Sequence, residues 1–62
     1  MFEHSVVAVR ATGVTPQVVA AEVEEQLQAK GKEGWELQMI QPVIYNSATT
    51  GYLLLILRRA GE

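Results

Sequence analysis

The run Tyr52-Leu53-Leu54-Leu55-Ile56-Leu57 restricts this chain's fold more than any other feature. Six residues are far too few to span a bilayer, which takes about 20 as a helix. Introduced by Gly51, the run predicts a strand. Successive strand residues point to opposite faces, so Leu53, Leu55 and Leu57 oppose Tyr52, Leu54 and Ile56. Neither face is polar. Such a strand has to be covered on both sides, and its natural place is the middle of a sheet.

The remaining sequence supplies its neighbours. Residues 2–10, Phe-Glu-His-Ser-Val-Val-Ala-Val-Arg, are rich in β-branched residues and predict a first strand. Thr15 is a good N-cap and Pro16 suits the first helical position, where its missing N–H costs nothing. A helix is expected from Pro16 to Lys30, closed by Gly31 in the left-handed conformation, with Lys30 and Lys32 complementing its negative end. Val19, Ala20, Val23 and Leu27 fall on one stripe with Pro16 beside them, and Glu22, Glu25 and Gln28 lie away from it. Val18 and Ala21 sit off the stripe, placed to contact a second subunit. Trp35–Tyr45 predicts the second strand, with Trp35, Leu37, Met39 and Val43 on one face. Pro42 has no N–H, so this strand is an edge or is bent there. Residues 46–50 supply a hairpin loop, across which Tyr45 and Tyr52 are expected to pack.

Together these elements predict one α+β domain over residues 1–62. Its architecture is β-α-β-β, a three-stranded antiparallel sheet in the order second-third-first with one helix on one face. A single helix of about four turns covers only one face of three strands. Whichever face the helix covers, the other is left with three large side chains of the third strand, joined by Ile40 and Ile44 or by Leu37 and Met39. Soluble monomers rarely expose so large an apolar patch. The set Tyr52, Leu54, Ile56, Ile40 and Ile44 is therefore expected to be an oligomer interface, in a dimer or tetramer. The competing readings are a monomer with an apolar surface and a different protein partner.

Size points the same way. A chain of 62 residues buries only about 60 % of its unfolded surface, which leaves a monomer marginal. Disulfides, metals or oligomerisation are the usual supplements. There are no cysteines and one histidine, His4, so neither a disulfide nor a typical zinc or cluster site can form. Oligomerisation remains. A net charge of −2 argues against a dedicated nucleic-acid binder, and no segment has the pattern of a signal peptide. A cytoplasmic protein without a membrane segment or cofactor is the expectation.

Chemistry is thinly represented. The predicted topology gathers Lys30, Lys32, Trp35, Arg58 and Arg59 at one end, with His4 near the start of the first strand. Lys32, Trp35, Arg58 and Arg59 form a candidate anion or nucleotide site, a ring beside several cations. Against it, the lysines satisfy a helix terminus, the arginines solubilise a strand end, and Glu3, Glu33 and Glu36 neutralise the group. Glu36 would serve as a general acid only if buried. Ser5, Ser47, Thr49 and Thr50 have no base positioned by any motif. No catalytic residue is assigned, and the function expected is a non-enzymatic interaction or structural module. The alternative is a small-molecule or nucleotide-binding regulatory protein with its site at a subunit interface near Trp35.

The segment Gly-Lys-Glu-Gly-Trp-Glu-Leu, residues 31–37, resembles a family of short bacterial proteins catalogued as domain of unknown function 4177. The likeness extends along nearly the whole chain: a first strand with a Val-Val centre, a helix, the Gly34-Trp35-Glu36-Leu37 core, and a last strand ending in Leu57-Arg58-Arg59. The first strand here lacks the aromatic residues often found beside its valines, and Pro42 interrupts the second. The resemblance implies the β-α-β-β layout in a soluble bacterial protein and carries no site residues. Gly34 is expected to let the chain turn so that Trp35 packs on the helix end.

Overall fold

The computed structural model describes residues 1–46 and 49–61. In chain order they form β1 (Phe2–Arg10), α1 (Pro16–Lys32), β2 (Glu36–Asn46) and β3 (Thr49–Ala60). The strands make one antiparallel sheet in the order β1-β3-β2. The two-sided apolar strand is central, as its composition requires, and β2, the strand with Pro42, is an edge. Ser47 falls outside the described residues, as does the Tyr45 side chain, so the expected Tyr45–Tyr52 packing does too.

The helix begins as its residues dictate. Thr15 is extended, with φ −77° and ψ 156°, and its hydroxyl accepts from the Val18 N–H at 3.3 Å. Its end departs from expectation. Gly31 stays helical and α1 runs on to Lys32, while Gly34 takes the left-handed conformation at φ +88°. The Gly34 N–H donates to the Gly31 carbonyl at 3.0 Å and the Trp35 N–H to the Lys30 carbonyl at 3.1 Å. These two bonds are a Schellman closure with Glu33 as cap. Two glycines were available to stop the helix. Stopping at Gly34 puts Trp35 at the position whose apolar side chain folds back on the last turn.

β1 and β3 pair without interruption through nine residues, from Phe2↔Ala60 to Arg10↔Tyr52. β2 follows β3 less regularly, with register shifts between Leu37 and Met39, Val43 and Ile44, and Ile44 and Asn46. At the first shift Leu37 pairs with Leu57 and Met39 with Ile56, which leaves Gln38 as an extra residue. A one-residue slip exchanges the faces of all that follows. Leu37, expected beside Met39 and Val43, therefore lies on the opposite face from them.

The core sits between α1 and one sheet face. Leu55 is fully buried, with Leu57 and Val9 beside it, and Val7, Val19, Val23, Leu27, Trp35 and Leu53 pack around them half-buried. α1 itself has no fully buried residue. The radius of gyration is 12.7 Å, against roughly 10.6 Å for a compact domain of this length. The molecule is long and thin, 41 × 21 × 11 Å. No helix among the described residues is long and apolar enough to cross a membrane.

Candidate functional site

Cross-strand partners share a face, so the register sorts the side chains. Leu53, Leu55 and Leu57 face α1. Tyr52, Leu54 and Ile56 face away, and their partners extend the sheet surface in rows: Val6–Ile56–Met39, Ala8–Leu54–Gln41 and Arg10–Tyr52–Val43. Among the described residues no element lies over this face. Val6 is 60 % and Met39 51 % exposed, while Leu54 and Ile56, flanked on both sides, are half-buried. The result is an apolar band across all three strands, bounded at one end by the row His4–Arg58–Glu36.

The five residues expected to form one interface are divided between the faces. Tyr52, Leu54 and Ile56 belong to the open face. Ile40 pairs with the buried Leu55, and Ile44 pairs with Thr50 beyond a second slip at Gly51, which places both on the α1 side. There they remain 42 % and 61 % exposed. Within the band, β2 contributes Met39, Gln41 and Val43. The bulge at Gln38 is responsible, and no turn residue marks it in the sequence.

A second apolar surface was not foreseen. α1 leaves a groove of about 740 Å³ beside β3, lined by Val14, Val19, Ala20, Val23, Leu27 and Leu53 with Glu24, Gln28 and Thr50 among the polar lining. Among the described residues it is walled by the helix and floored by β3. The narrow apolar stripe of α1 was the available signal, since it is too slim to seal three strands. Gly51 anchors the near end: its carbonyl accepts from the Ala11 and Thr12 N–H groups at 2.9 and 3.1 Å.

The basic end is arranged differently from a cluster of free cations. Arg58 and Arg59, adjacent on a strand, point to opposite faces. Arg59 lies over the Trp35 ring at 4.3 Å, pairs with Glu3 at 3.2 Å, and donates to the Glu33 carbonyl at 3.0 Å. Arg58 lies over the Phe2 ring at 4.6 Å and pairs with Glu36 at 2.9 Å. Glu36 is exposed, which removes the burial a general acid would need. Lys32 is exposed on the last helical turn. Of the four candidate anion-site residues, the structure joins Trp35 to Arg59 and sets Arg58 on the far side of the sheet. His4 is exposed beside Arg58 by register. Among the described residues no group of acidic or imidazole side chains is placed to hold a metal ion.

Comparison with protein-family models, with curated proteins and with solved structures gave no match.

Proposed function

We propose that this chain is a non-catalytic interaction or structural module that works as a homo-oligomer, with copies meeting through the open sheet face. The observation that carries the reading is the apolar band of Val6, Met39, Leu54 and Ile56 on a face that no element covers among the described residues. Its energetic weight is considerable, since full burial of each large apolar side chain contributes about 1.5–3 kcal/mol.

Surface area supports the same conclusion. The chain exposes 4484 Å², whereas a compact monomer of 6.8 kDa exposes roughly 3,960 Å². The excess is about 500 Å² per copy, and two copies together reach about 1,000 Å², the lower bound for a specific interface. A bacterial, cytoplasmic setting and kinship with the domain of unknown function 4177 family, from the Gly34–Leu37 segment, complete the proposal. Light scattering at micromolar concentration is the test. An oligomer is expected; a monomer mass across the whole concentration range defeats the reading.

A further inference from the structure

A sheet of three strands has two edges, and here they differ. The β2 edge is interrupted by Pro42, which has no N–H, and by three register shifts. Proline and bulges are the usual means of blunting an edge against further pairing. β1 has neither. It runs nine residues in unbroken register with β3, and among the described residues its outer side meets no strand. Its centre, Ser5-Val6-Val7-Ala8-Val9, carries no charge. An edge this long and regular, uncharged over its central five residues, is a template for another strand.

We propose that β1 pairs with β1 of a second copy, antiparallel about a two-fold axis at Val6, to make a continuous six-stranded sheet. The inference rests on the homo-oligomer reading and adds a second contact to it. Val6 is the midpoint of Phe2–Arg10, so only this register overlaps all nine residues. It sets Val6 against Val6, Ser5 against Val7, His4 against Ala8, Glu3 against Val9 and Phe2 against Arg10. No like charges meet, and each end offers an aromatic ring to the other copy's guanidinium. The adjoining flank of α1 fits the same seam. Val18, 54 % exposed, and Ala21 border a cleft of about 390 Å³ shared with Arg10, Glu22 and Glu25. Edge pairing uses the backbone of β1 and face packing the side chains of the open face, about perpendicular two-folds. Combined, they close into a tetramer of two six-stranded sheets with the helices outside.

The absence of cysteine makes a single introduced thiol an unambiguous probe. Directly opposed residues of an antiparallel pair lie roughly 4.5–5.5 Å apart between Cα atoms, within the range that a disulfide spans. Val6→Cys under mild oxidation is expected to convert most of the protein to a linked dimer, also in a Leu54→Lys background that removes the face contact, while Gln38→Cys, on the β2 edge, stays unlinked. Unlabelled wild-type protein should show light-scattering mass near four chains, about 27 kDa from 4 × 6.8 kDa. Its β1 amides should all exchange slowly, since those turned away from β3 gain partners. An oligomer whose Val6→Cys links no faster than Gln38→Cys, or whose β1 amides alternate between slow and fast, overturns edge pairing and leaves face packing standing. A wild-type monomer overturns both.

Discussion

The Arg59 guanidinium stacks on the Trp35 ring at 4.3 Å, and this contact ties the end of β3 to the end of α1. Trp35 is also the residue whose N–H completes the Schellman closure, and Arg59 donates to the carbonyl of the helix cap, Glu33. A cation that could have served an anion site is spent on a joint. The sequence motif Gly34-Trp35 is the other half of that joint.

Arg59→Ala should therefore lower stability without touching the core. The stacking contributes about 0.5–1 kcal/mol and the hydrogen bond to Glu33 about 0.5–1.5 kcal/mol. In a domain this small each kcal/mol moves Tm by roughly 4–8 °C. Thermal unfolding followed by Trp35 fluorescence reads the loss. Arg59→Lys should recover only part of it, because an ammonium lacks the planar fork that stacks and donates at once.

The two glycines near the helix end should respond in opposite directions to alanine. Gly34 holds φ +88°, so Gly34→Ala is expected to cost about 1 kcal/mol or more in backbone strain. Gly31 is helical and a Cβ there meets nothing within 4 Å. Gly31→Ala should stabilise by about 0.5–1 kcal/mol. Equal destabilisation of both in urea melts would contradict the assigned closure.

The faces of β3 separate folding from assembly. Leu55→Ala empties a fully buried position and should cost about 2–5 kcal/mol, enough to abolish the cooperative thermal transition of a marginal domain. Leu54→Lys places a charge on the open face. It should retain the far-UV circular dichroism of the parent while reducing the mass seen by light scattering. Retention of the parental mass would exclude that face from the interface.

An oligomer whose copies stabilise one another obeys mass action, so its Tm should rise with protein concentration. Scanning calorimetry across a hundredfold range of concentration would show the shift. A constant Tm would mean that each chain is stable alone.

The Arg58–Glu36 pair is expected to matter little despite its 2.9 Å separation. Both side chains are more than a third exposed, 38 % and 65 %, and ion pairs of that kind contribute about 0–1 kcal/mol and weaken with salt. Glu36→Gln should change the urea midpoint only slightly.

Element type and order were legible because they depend on near neighbours. Thr15-Pro16 starts a helix wherever it stands, the β-branched residues of 2–10 favour a strand, and a strand apolar on both faces has to be central. The placement of single side chains was harder. Leu37 and Met39 read as one face under strict alternation, and the bulge at Gln38 separates them, moving Ile40 to the helix side.

Patterning along the chain was enough to put β3 in the middle, to make β2 an edge or a bent strand at Pro42, and to show that one short helix cannot cover both faces. Tertiary structure decided which face stays open, which glycine ends the helix, and that Arg58 and Arg59 part company across the sheet. The physical reason is one of range. Patterning and propensity act over a few residues, whereas a register slip or the face a helix covers is settled by packing between segments far apart in the chain.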